Sequence, residues 1–293
     1  MNNLDIPLYI VSKGRYDSML TSKSLNWMNI KHYIVVEEQE YELYKQALNK
    51  FNIKTAELLI LDKKYQEEYD TFDNLGNTKS KGPGAARNFA WEHSISQGKK
   101  WHWVMDDNIR YFYRLNKNKR LKVKNSCFFK IMEDFCLRYI NISMAGPNYR
   151  MFCPSKQKCP PFTTNTRIYS CNLIRNDVPY RWRGRYNEDT DLSLRMLKDG
   201  WVTVQFNAFL QDKVGTQTVK GGNMDDFYSK EGTYPKSEML VKMHPDVARL
   251  TYRFGRVHHY VNYSKFKKNK LIKKKGLETK KKINNYGLKI ARK

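Results

Sequence analysis

Residues 101–108 read Trp-His-Trp-Val-Met-Asp-Asp-Asn, a short strand that runs straight into two carboxylates and a carboxamide. In open α/β sheets, ligands gather beyond the carboxyl ends of strands. The triplet Asp106-Asp107-Asn108 therefore falls where chemistry is expected.

Toward the N-terminus, residues 6–12 (IPLYIVS) are an apolar run ending in Lys-Gly-Arg, a buried strand and its loop. Residues 16–26 fit a first helix and 32–37 (HYIVVE) a second strand. The stretch 39–51 sets Tyr41, Tyr44, Leu48 and Phe51 on one helical face, and 57–61 (ELLIL) is a third strand. This alternation is the βαβ rhythm of a parallel sheet. A Gly-, Asn- and Lys-rich loop, 71–84, ends at Gly82-Pro83-Gly84, and a helix follows from 85 to about 97. Toward the C-terminus, 110–135 reads as a basic insert and then a helix. Residues 139–145 and 167–174 read as strands separated by a Pro- and Cys-bearing loop. Asn187-Glu188-Asp189-Thr190-Asp191 opens a helix closed by Gly200, and 201–206 (WVTVQF) is another strand. No internal repeat interrupts this order.

The chain has 293 residues, enough to bury a sizeable core. Lys plus Arg is 54 and Asp plus Glu 29, a net charge of +25, which favours a polyanionic partner such as nucleic acid; a merely basic soluble protein is the alternative. The five cysteines, an odd number without a Cys-x-x-Cys pair, argue against a disulfide framework. Cys153 and Cys159 lack the spacing and the histidine of common zinc loops. No stretch approaches the roughly 18 apolar residues of a membrane span, and the expected location is cytoplasmic. Residues 265–293 carry 13 Lys or Arg against one acid, Glu278, a tail that is either simply solvated or in contact with phosphates.

Three constellations carry chemistry. Asp106, Asp107 and Asn108 can hold a hard divalent cation against a diphosphate, although such residues also cap helices and make turns. Glu188 and Asp189 at a helix start can supply a general base, although acidic first turns are also favoured by the helix dipole. Gly82-x-Gly84-Ala-Ala-Arg87-Asn88 allows close backbone approach and offers Arg87 to a phosphate or ribose; it is also an ordinary helix entry.

In this order and spacing, the motifs resemble those of GT-A glycosyltransferases of the family 2 kind. Val11-Ser12-Lys13-Gly14-Arg15, Trp103-x-Met-Asp106-Asp107-Asn108-Ile109, Tyr186-Asn-Glu188-Asp189-Thr-Asp191-Leu-x-x-Arg195 and Gly221-Gly222-Asn223 look more narrowly like the TET-associated glycosyltransferases of phages. The resemblance covers roughly residues 5–225. It implies an α/β GT-A (Rossmann-like) fold with a mixed, mainly parallel sheet flanked by helices, and a basic C-terminal extension. Residues 1–262 would form the transferase domain, with a nucleotide-sugar half to about 110 and an acceptor half from about 111, followed by a Lys-rich tail, 263–293. The implied donor is a UDP-sugar with Mn²⁺ or Mg²⁺. Ser12, Arg15, Glu37 and Glu38 would lie near the nucleoside, and Arg87 near the donor. Asp106 and Asn108 would hold metal and diphosphate, Asp107 sharing the work, and Asp189 would act as base with Glu188 positioning a substrate. Many GT-A enzymes add a late His as metal ligand. Here Phe209-Leu-Gln211-Asp212 has none, so Asp212, His244, His258 and His259 stay open for that role, and Asn108 replaces a carboxylate.

The resemblance implies an acceptor in DNA, a 5-hydroxymethylpyrimidine with hydroxymethylcytosine foremost, and an inverting transfer. Arg181, Arg183 and Arg185, interleaved with Tyr180, Trp182 and Tyr186, fit phosphates and stacked bases, or else a basic surface loop around one buried Trp. Two rival readings are a GT-A enzyme acting on a protein or cell-wall polymer, and a basic DNA-binding protein without activity.

Overall fold

The computed structural model describes residues 6–76, 80–116, 119–155, 159–214, 233–253 and 255–276. Gly221-Gly222-Asn223 lies outside them, as does the tail from 277 onward. Twelve strands and seven α-helices are described. The N-terminal half runs β1 (Leu8–Val11), α1 (Leu20–Trp27), β2 (His32–Val36), α2 (Tyr41–Lys50), β3 (Ala56–Ile60), α3 (Lys63–Glu67), α4 (Gly84–Ser96) and β4 (Trp101–Asp106). It continues through β5 (Ile109–Asn116), β6 (Lys119–Lys122), α5 (Cys127–Cys136), β7 (Ile142–Tyr149), β8 (Phe162–Thr164) and β9 (Cys171–Arg175). α6 (Glu188–Lys198), β10 (Val202–Lys213), α7 (Tyr234–Met243), β11 (Ala248–Arg253) and β12 (Arg256–Val261) complete it.

Ten strands form one mixed sheet in the order β3-β2-β1-β4-β9-β7-β10-β5-β6, with β8 pairing on β10. The pairings make seven strands point one way and leave β5, β8 and β9 reversed. β1 is buried at every residue, as a central strand covered on both faces must be. The chain steps from β1 outward to β3, then returns to place β4 on the other side of β1, so the strand order reverses between them. Val11 pairs with Asp106 across that reversal, which is the crevice where such sheets bind ligands.

The apolar runs bury against helices on both sides. Trp103, Phe112, Phe128 and Phe129 pack in one layer, and Tyr9, Trp91 and Val104 in the other. Tyr44 is the buried member of the α2 face, with Tyr41, Leu48 and Phe51 at the margin of the core.

Two expectations change. The basic insert after residue 110 is an antiparallel strand pair, β5 and β6; Ile109 and Phe112 are buried while Arg110, Tyr111, Arg114 and Asn116 are exposed, as on a half-covered sheet edge. The last long strand also does not end at 206. β10 runs to Lys213 through an irregular register between Phe206 and Leu210. The start of the expected tail docks on this body. Phe266 is buried beside Leu194, Leu197 and Leu240, and Asn269 Nδ2 donates to the carbonyls of Leu197 and Trp201 at 2.7 and 2.9 Å.

All five cysteines are free. Cys153 is buried with Asn148 Nδ2 at 3.4 Å from its sulfur, a carboxamide setting that does not suit zinc. Among the described residues no helix is long and apolar enough to cross a membrane.

Candidate active site

Sheet order lays the site out in sequence across the carboxyl edge. Glu37 follows β2, Ser12 and Arg15 follow β1, Asp106 ends β4, Tyr149 ends β7 and Lys213 ends β10. β9 runs backwards, so Tyr169 and Ser170 reach the same edge from its start. α4 and α6 add their first turns from above. Together they line a cleft of about 350 Å³.

Arg87 is the centre. Its side chain is 2% exposed and stacks 4.7 Å from the Trp182 ring centroid. One guanidinium nitrogen donates to Glu188 Oε1 at 3.0 Å and Asp189 Oδ1 at 2.9 Å; the other donates to Asp106 Oδ1 at 2.7 Å. The acidic strand end and the acidic helix start are thus joined by one cation. The neighbouring Asn88 exchanges both hydrogen bonds with the Trp182 backbone, at 2.9 and 2.8 Å, fixing the segment that leads into α6. Gly84 admits this arrangement. A Cβ there would lie 1.9 Å from Tyr69 Oη, which is buried and donates to Gly184 O at 2.8 Å. Gly84→Ala is expected to cost about 1–3 kcal/mol by overpacking, read as a lower denaturation midpoint.

Asp107 faces the β1 side. Ser12 Oγ donates to it at 2.7 Å and Arg15 at 2.5 Å, and Tyr44 Oη lies 2.6 Å from Ser12 Oγ. Glu37 pairs with Lys13 at 3.1 Å and accepts from Gln66 at 2.9 Å. Glu38 pairs with Lys63 on the surface, outside the cleft lining. On the other side Lys213 Nζ donates to Asp106 Oδ2 at 2.5 Å and Ser170 Oγ at 2.9 Å, and Ser170 meets Tyr149 Oη at 2.7 Å.

The charges follow from these contacts. Burial opposes ionisation of Asp106, but Lys213 and Arg87 outweigh it and hold the carboxyl well below the usual range. Burial pushes Asp189 up to about 7; Arg87 opposes this, while Glu188 and Asp106 reinforce it. Two carboxylates on one arginine therefore titrate far apart, the pattern that separates a fixed anion from a base. Asp191 points elsewhere: it is fully buried among His244 at 2.9 Å, Arg195 at 2.8 Å and Arg183 at 3.2 Å.

The residues expected to hold a metal do not fit a resident Mg²⁺ or Mn²⁺. Both Asp106 oxygens already accept from cations. Asn108 Nδ2 donates to Val214 O at 3.3 Å, and its buried Oδ1 has no partner among the described residues. Asp212 pairs with Arg110 and Arg150 at 3.4 Å, and His244 is committed to Asp191. Among the described residues no three His, Cys, Asp or Glu side chains converge on a metal position.

The segment expected to face nucleic acid is largely internal. Trp182 is 2% exposed, and Arg185 is 1% exposed, paired with Asp73 at 2.7 Å and donating to Ser80 O at 2.5 Å. Arg181 pairs with Glu92 at 2.7 Å and lies over Trp91, while Arg183 pairs with Asp191. Their cations face carboxylates of the protein itself, so this stretch is scaffolding for Arg87 and α6. The exposed basic surface near the cleft is instead the β11–β12 hairpin. His259 lines the cleft, while Arg249, Arg253 and Arg256 are exposed and Tyr252 is 71% exposed. From Val247 to Leu277 the sequence has ten Lys or Arg and no Asp or Glu.

Sequence reasoning missed Lys213, Ser170 and Tyr149, and had weighed His259 only as a metal ligand. Lys213 had a signal: it ends a strand, as Asp106 does.

A family model described as TET-Associated Glycosyltransferase matches residues 6–222. The crystal structure of S. aureus TarS 1-349 is similar at a TM-score of 0.39 and 11% identity, over 82% of this chain and 72% of that one. No curated protein matches the sequence.

Proposed function

The chain belongs to the TET-associated glycosyltransferase family, and from that premise we propose that it moves a sugar from a UDP-sugar to the hydroxyl of a 5-hydroxymethylpyrimidine in DNA, with hydroxymethylcytosine as the leading acceptor. One observation carries the reading. Arg87 bonds Asp106 and Asp189 at once, so the edge that receives a nucleotide and a carboxyl suited to be a base share one cleft. Glu37, Ser12 and Arg15 then flank the nucleoside, and Asp106 and Arg87 lie at the diphosphate.

Transfer in one step inverts the anomeric carbon. The acceptor oxygen attacks that carbon and gives its proton to Asp189, while the bond to the β-phosphate oxygen breaks and UDP leaves with the electron pair. Glu188, on the same Arg87 nitrogen, orients the guanidinium. The exposed Arg249, Arg253 and Arg256 and the net charge of +25 support a polyanionic acceptor over a neutral polymer.

A base must be unprotonated to act, and Asp189 below its raised value of about 7 is protonated. The kcat/KM of transfer is therefore expected to climb with pH up to about 7 and level off above it, measured with saturating acceptor.

The function is tested by incubating hydroxymethylated and unmodified DNA with UDP-sugars and weighing the nucleosides by mass spectrometry. A hexose mass added only to hydroxymethylated DNA is the expected result. Labelling of protein or polysaccharide instead would transfer the reading to another acceptor.

A further inference from the structure

We propose that Lys213 and Arg87 hold the donor's diphosphate themselves, in the place where a divalent cation was expected; this rests on the UDP-sugar reading above. The end of β10 is where a metal ligand was sought, and it delivers a cation instead. Lys213 Nζ sits on Asp106 at 2.5 Å and Ser170 at 2.9 Å.

Both cations line the cleft and retain N–H groups without a partner among the described residues. An ammonium has three N–H groups, and contacts among the described residues occupy two of those of Lys213. Arg87 Nε is buried and has no hydrogen-bond partner among them, although the side chain is only 2% exposed. A buried unpaired donor on a cation is costly, and an anionic ligand oxygen is the partner that removes the cost. A divalent ion bound to Asp106 would instead sit against the ammonium 2.5 Å from the same carboxylate, where like charges repel strongly in a partly buried site.

The chemistry follows without a metal. As the bond between the sugar and the β-phosphate breaks, the electron pair stays on the phosphate oxygen. Fixed ammonium and guanidinium charges placed there stabilise that oxygen with no rearrangement during the step.

The test is titration of the full chain with UDP, followed by tryptophan fluorescence, in excess EDTA and again with Mn²⁺. UDP is expected to bind in EDTA, with Mn²⁺ changing the affinity less than about twofold. Lys213→Met should weaken UDP by about 10- to 100-fold, the loss of one charged hydrogen-bonding partner. Lys213→Arg should keep most of the affinity. Uridine, which has no phosphate, should bind wild type and Lys213→Met alike; a merely structural lysine would lower both ligands together and overturn the proposal. UDP binding only with Mn²⁺ overturns the proposal and leaves the donor reading intact. UDP binding in neither medium overturns both.

Discussion

Replacing Asp189 by Asn is expected to reduce sugar transfer by about 10²- to 10⁴-fold, the contribution of a positioned base. The change removes a proton acceptor and little else. Asparagine keeps the shape of the side chain, and its oxygen can still accept from Arg87, which now bonds Asp189 Oδ1 at 2.9 Å. UDP binding should therefore stay within a few-fold of wild type, because the proposed donor site is Arg87, Lys213 and the β1 edge. The measurement is a single-turnover rate beside a UDP titration of the same protein. A variant that transfers at the wild-type rate would remove Asp189 from the mechanism. One that loses UDP binding in parallel would make it a donor-site residue. The pH profile adds a second check, since the limb rising toward about 7 should vanish with the group that titrates there.

The largest effect on stability is expected at Arg87. Methionine there keeps most of the side chain's length and removes the charge shared by Asp106, Glu188 and Asp189. Breaking a buried pair by removing one partner costs about 3–5 kcal/mol, because the other side is left uncompensated. Here three carboxylates lose their common cation, and among the described residues only Asp106 keeps another, in Lys213. The sign with pH follows. Asp189 already holds its proton more tightly than a carboxyl of the unfolded chain, with Arg87 opposing that shift; without Arg87 the difference grows, so stability falls further as pH rises past the unfolded value of about 4. The gap to wild type, measured by urea unfolding, should be small near pH 5 and widest near pH 8. A constant gap would assign the loss to packing against Trp182 instead.

Much of this was legible in the sequence for a definite reason. Short apolar runs such as Leu8–Val11 and Trp101–Met105, set between helical stretches, read as central strands, and the end of a strand is a fixed address in an α/β sheet. That rule found Asp106 and Arg15, and it would have found Lys213 had β10 been read to its end. Asn207 hid the continuation. It is buried in mid-strand, its polarity met by Asn148 at 2.9 Å, Pro160 O at 3.0 Å and Thr163 Oγ1 at 3.1 Å, partners that no local pattern reveals. The run Arg181–Arg185 misled in the same way. An arginine facing solvent and one facing a carboxylate about a hundred residues away look identical in a sequence window; Arg185 finds Asp73 and Arg181 finds Glu92. The hairpin that takes over as the exposed basic surface is legible only once its cross-strand pairing shows which residues face out.

The contacts that close the cleft have a consequence for how the chain reaches its native state. Arg87 meets Asp189 across 102 positions of sequence, Asp106 meets Lys213 across 107, and Arg185 meets Asp73 across 112. The pairings of β2 with β1 and β3, by contrast, lie within the first 60 residues. Loop closure is an entropic cost met before distant contacts return anything. During synthesis the first three strands can therefore associate early, and Arg87 can meet Asp106, but Arg87 waits for α6 and Asp106 for β10 before their remaining partners arrive.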